Sequence, residues 1–125
     1  MTEITLRFAD GLEVRATLRE GTPSVTALLK AIPFKSVVHR WGDEVYFDAP
    51  FHSEKETDAR ADMEIGDVAF WPEGDAVAVF FGRTPVSTDG HPRAYSPCNI
   101  LGKVSGSPEK LKKVKEGTGV EVLRS

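Results

Sequence analysis

The chain has 125 residues, enough to enclose one hydrophobic core without a disulfide or a structural metal, and its 40% apolar and 28% charged residues are those of a turn-rich globular domain. Its formal net charge of -3 excludes the global positive field that holds a phosphate backbone, and no apolar run approaches the roughly 20 residues that cross a bilayer. A single soluble, cytoplasmic domain is therefore expected, with neither nucleic acid nor membrane as partner.

The N-terminal MTEITLRF carries charges where a secretory leader needs an apolar run. EITLRF places Ile4, Leu6 and Phe8 on one face, and LEVRATL does the same with Leu12, Val14, Ala16 and Leu18. The Asp10-Gly11 turn between them predicts a β-hairpin. From Ser24 to Ile32 the period changes to a helical one, with Val25, Leu28, Leu29 and Ile32 on one side, Thr22-Pro23-Ser24 as a start and Pro33 as a stop.

SVVHRW and DEVYFDA, separated by Gly42, predict two adjacent strands or one strongly bent one. In the second, Val45 and Phe47 should face the core, while Glu44, Tyr46 and Asp48 face water in part. Residues 50–64 lack apolar periodicity and read as the longest loop. IGDVAFWP and DAVAVFFG, joined by Pro72-Glu73-Gly74, predict a second hairpin. Four turn signals mark 84–97 as an extended surface loop. CNILGKV is another strand, PEKLKKVKE a short helix opened by Pro108, and VEVLR the last strand. About eight strands and two short helices result. Such an array closes most readily into a barrel, although the pattern alone leaves a sandwich open.

Three segments, RWGDEVYF (40–47), GDVAFWPEGDAVAVFFGRTPVS (66–87) and SPCNILGKV (96–104), in this order and spacing, resemble the small prokaryotic cyclophilin-like proteins. The resemblance runs through most of the chain and implies a mainly β, cyclophilin-like closed barrel with two helices. Cyclophilins proper isomerise Xaa-Pro bonds, whose rotation faces a barrier of roughly 18 to 20 kcal/mol in an ordinary peptide and takes tens to hundreds of seconds uncatalysed. They use an apolar pocket for the Pro ring and a guanidinium that stabilises the twisted imide. His39-Arg40 echoes their His-Arg pair, which carries Arg40 over as the candidate catalytic residue. The fourth-strand pattern of active cyclophilins is absent. No Gln occurs in the chain, so their substrate-backbone Gln has no counterpart.

The candidate ligand-binding residues are Trp41, Glu44, Tyr46, Phe80 and Arg83. Each has a plain structural alternative. If Val77, Val79 and Phe81 are core, Phe80 shares a face with Ala76 and Ala78, either packed under a helix or loop or flooring a groove with Arg83 at its rim. Trp41 either seals an edge or, beside Gly42, meets a ligand. Glu44 and Tyr46 are either solvated or hydrogen-bonded to a peptide backbone.

His39, His52 and His91 lie at no metal-ligand spacing, and Cys98 is the lone cysteine, so neither a metal, a cofactor nor an internal disulfide is expected. Cys98, at the start of an apolar strand, reads as a small buried hydrophobe. The leading expectation is a binding module for a short peptide or small molecule. The alternatives are a weak prolyl isomerase using Arg40 and a regulatory subunit with a protein partner.

Overall fold

The hairpin turn forms as its residues require: the Asp10 carboxylate accepts the Leu12 N–H at 3.1 Å, and the chain reverses between β1 (Thr2–Phe8) and β2 (Glu13–Leu18). The computed structural model describes residues 2–125. In the antiparallel register Leu6 stands opposite Val14 and Ile4 opposite Ala16, so the alternating apolar sets of both strands fall on one face. Helix α1 (Pro23–Ala31) begins where Thr22 accepts the Val25 N–H at 3.2 Å, and it buries Val25 and Leu28 in the core.

The remaining strands are β3 (Phe34–Val37), β4 (His39–Arg40), β5 (Glu44–Asp48), β6 (Arg60–Asp62), β7 (Asp67–Trp71), β8 (Ala76–Phe80), β9 (Arg93–Ser105) and β10 (Gly119–Arg124). The sheet order is β3-β10-β1-β2-β9-β7-β8-β5-β4. Its two ends are the same stretch of chain. Phe34–Arg40 is one bent stave whose first half pairs with β10 and whose second half pairs with β5. The bend is held at buried Val38, whose N–H donates to the Thr118 carbonyl and whose carbonyl accepts from the Gly117 N–H, each at 2.8 Å. Counting β3 and β4 as one stave, eight staves ring the core, and a closed ring leaves few edges to aggregate.

Inward side chains fill the ring: Phe8, Val45, Phe47, Phe70, Val77, Val79, Phe81 and Leu101 form one core with Leu28 of α1, and Leu111 and Val114 join it from the C-terminal turn. That turn holds a six-residue 3-10 helix (Pro108–Lys113) capped by Val114, shorter and tighter than the helix expected over 108–116, and Gly117 follows at φ +87. Gly102 on β9 is where the backbones of β2 and β9 approach most tightly, since a Cβ there would collide with the Thr17 carbonyl.

The outward face of β5, β7 and β8 is also covered. Ala69, Ala78 and Phe80 pack with Met63, Ala94, Cys98 and Ile100 into a second, smaller core. Two departures from the sequence reading create this layer. The segment expected to be loop as far as Pro97 becomes strand at Arg93, and the long charged loop contains the short strand β6, which pairs with β9 through Arg60 opposite Cys98 and Asp62 opposite Arg93. Two residues of β6 step past five of β9, so the pairing is irregular there and the missing N–H of Pro97 breaks no regular ladder.

The rest of that loop is held down. Asn99, wholly buried, accepts the Glu56 N–H at 2.8 Å and donates to the Glu54 carbonyl at 2.9 Å. Among the described residues no helix is long and apolar enough to cross a membrane.

Candidate functional site

The cross-strand register on the outer face sets large aromatics beside alanines. Tyr46 of β5 stands opposite Ala78 of β8, and Ala76 of β8 stands opposite Trp71 of β7. Two methyl groups flanked by a phenol and an indole leave a hollow, because directly opposed residues on one face lie only about 5 Å apart and the alanines do not fill it. A pocket of about 440 Å³ results, lined by Ala76 and Ala78, by Trp41, Tyr46, Trp71 and Tyr95, and by Glu44, Ala94 and Cys98. This volume lies within the range of small-molecule sites.

Tyr95 is carried over the hollow by the irregular part of β9. Its ring meets Trp41 edge-on at 6.3 Å and Trp71 edge-on at 6.2 Å, so one side chain spans both indoles. Its side is open to solvent, with 73% of the residue exposed. Trp71 is fixed by its indole N–H, which donates to the Ser96 hydroxyl at 2.7 Å. Trp41 is placed by the β4–β5 turn, where its N–H donates to the Glu44 carbonyl at 3.0 Å and Gly42 adopts a φ of +62. A side chain at Gly42 would press on the Arg83 carbonyl at 2.9 Å, so the missing Cβ admits neighbouring backbone.

Glu44 supplies the chemistry. The residue is 7% exposed, and its Oε1 is buried with no hydrogen-bond partner among the described residues. Burial pushes its carboxyl up to about 8, so the group is mostly protonated at neutral pH. Cys98 is pushed up to about 12 by burial first, then by the negative charges of Glu44 and Glu73. Burial and the neighbouring Glu116, Glu44 and Asp48 raise the Tyr46 phenol as well. Among the described residues no Lys, Arg or His lines the pocket. Among the described residues no group of His, Cys, Asp and Glu could hold a metal ion.

The sequence profile of the cyclophilin-like family matches residues 2–123. The chain belongs to the cyclophilin-like family. The solution structure of a hypothetical protein from Archaeoglobus fulgidus is similar to it throughout, at 38% identity with a TM-score of 0.83, covering 99% of this chain and 95% of that one. Among curated proteins none matches.

In this cyclophilin-like barrel the six residues singled out from the sequence divide. Trp41, Glu44 and Tyr46 meet in the pocket, although Glu44, expected on a partly wet face, is buried beneath it because β9 covers the outer side of β5. Phe80 is fully buried in the second core and lies opposite Glu44 in register, so it supports the site from below and forms no surface. Arg83 is exposed outside the lining, and its carbonyl accepts the Asp43 N–H at 2.9 Å.

The Arg40 guanidinium also points elsewhere. It donates to the carbonyls of Val114 at 2.7 Å, Gly42 at 3.0 Å and Lys112 at 3.3 Å, and its centre lies 5.0 Å from the Phe81 ring centroid. The ion pair with Asp43 at 3.5 Å engages it further. Those contacts tie β4 to the C-terminal turn.

Trp71, Tyr95 and Cys98, none of them among the binding residues expected from the sequence, line the pocket with the three alanines. For Trp71 a signal existed in strand alternation, since Val68 and Phe70 point inward and leave Trp71 outward. Tyr95 lies between Pro92 and Pro97, which read as breakers and hid the strand.

Proposed function

We propose that this cyclophilin-like protein is a binding module whose outer-face pocket takes a small molecule or one side chain and its flanking backbone from a short peptide. The observation that carries the reading is the hollow over Ala76 and Ala78, walled by two Trp and two Tyr with an orphaned buried carboxyl at its floor. An unpaired polar group in a dry site costs free energy in the empty protein, and a ligand that satisfies it recovers that cost. Mostly apolar walls with few convergent polar groups are the usual make-up of a small-ligand site.

Both tryptophans of the chain line this pocket, so intrinsic fluorescence reports on it alone. Titration with Ala-Pro peptides and a small-molecule panel should shift that emission, and amide shifts in two-dimensional NMR should cluster at Tyr46, Trp71 and Tyr95. The Tyr46→Ala variant should lose the response. Shifts that ignore the pocket, or a response untouched by Tyr46→Ala, would sink the reading.

A further inference from the structure

Four aromatic rings and one acidic group line a common space, and among the described residues no positive partner of the kind such an arrangement attracts lines it. Trp41, Tyr46, Trp71 and Tyr95 present π systems whose faces are negative. Glu44 adds a carboxyl whose Oε1 has no donor among the described residues, none of whose basic side chains lines the space. The nearby arginines are engaged or placed elsewhere: Arg40 is held by backbone carbonyls, Arg93, beside Ala94 on the chain, pairs with Asp62, and Arg83 stands outside the lining. His39 lies tilted against Tyr46 with ring centroids 5.2 Å apart, and its Nδ1 is hydrogen-bonded to Glu116 at 2.8 Å. The other charges that reach the pocket are negative, since Glu73 acts on Cys98 and Asp48 and Glu116 act on Tyr46.

We propose that the pocket recognises a small organic cation, an alkylated ammonium group enclosed by Trp41, Trp71 and Tyr95 and neutralised by the Glu44 carboxylate. This rests on the pocket being a binding site and names what the site selects. The geometry separates it from recognition of a neutral ligand. Alkyl groups on nitrogen are weakly hydrated and fit against indole and phenol faces, and their spread charge needs no directed hydrogen bond from the walls. A lone carboxylate in a dry site gains most from a full positive charge. Binding would ionise Glu44 and release its proton to solvent, so affinity should rise with pH until the carboxyl is ionised in the free protein.

The test compares choline with 3,3-dimethylbutan-1-ol, its neutral isostere with carbon in place of nitrogen, by tryptophan fluorescence and calorimetry on the full chain. Choline should bind at least tenfold more tightly, with proton release at neutral pH. Glu44→Gln should remove most of that preference. Tyr95→Leu changes an exposed side chain, so folding is spared, and it should weaken choline about three- to tenfold. Equal binding of the two probes, or tighter binding of the alcohol, overturns the cation assignment and leaves the pocket standing. Silence with both probes overturns it too. The binding reading itself falls if the Ala-Pro peptides and the wider panel are silent as well.

Discussion

Asn99 donates a hydrogen bond of 2.8 Å to the Ser24 hydroxyl and so joins β9 to the first turn of α1. Ser24 in turn donates to Ser53 at 3.0 Å, and both ends of the Asn99 amide engage the backbone of the charged loop. Asn99→Ala would leave the part-buried Glu56 N–H and Glu54 carbonyl without their side-chain partner and the buried Ser24 hydroxyl without its donor, each costing up to about 1 to 3 kcal/mol. A loss of about 3 kcal/mol in chemical denaturation is expected, together with faster proteolytic cleavage at 53–59. Unchanged stability would show that water replaces the amide.

Glu44 makes stability fall as pH rises. Its carboxyl ionises at about 8 when folded, against 4.5 for an unperturbed glutamate. Between these values the unfolded chain has released the proton and the folded chain has kept it, so this group subtracts up to about 1.4 kcal/mol per pH unit. The cost is absent below the lower value and constant above the upper one. Glu44→Gln should therefore gain stability relative to the parent between about pH 5 and about pH 8, by several kcal/mol. Parallel urea curves for the two proteins at both pH values, with no change in their difference, would contradict this.

Arg40→Ala should cost about 2 kcal/mol, because the guanidinium satisfies three backbone carbonyls that close the β4 end of the bent stave. Pocket affinity, read from tryptophan emission, should fall less than in Tyr46→Ala, because Arg40 itself does not line the pocket. A variant of full stability that loses only prolyl isomerase turnover would instead return Arg40 to a catalytic role.

Cys98 should resist alkylation while the protein is folded. With the thiol near 12, the thiolate fraction at mildly alkaline pH is about a thousandfold below that of a free cysteine. Iodoacetamide should label it only on unfolding, and mass spectrometry with and without guanidinium checks this. Rapid native labelling would mean that the pocket floor opens often.

How far the sequence reached depended on the range of the interactions involved. Strand alternation is local, so it placed Phe81 with Val77 and Val79 in the barrel and Phe80 on the other face with Ala78, as the two cores show. The hairpin at Asp10-Gly11 and the helix after Thr22 were legible for the same reason, because turn and cap chemistry act within a few residues. Similarity to the cyclophilin-like family added the closed barrel.

The site was decided at longer range. Whether an outward face meets water or another layer depends on what crosses it, and here β9 crosses from far along the chain with Tyr95 between two prolines. That crossing buried Glu44, turned an expected wet strand face into a pocket floor, and left Phe80 beneath it. Arg40 was likewise claimed by carbonyls more than 70 residues away. Periodicity along a strand determines which side a residue faces; only the packed tertiary fold determines what waits on that side, because burial and charge pairing are properties of distant segments brought together.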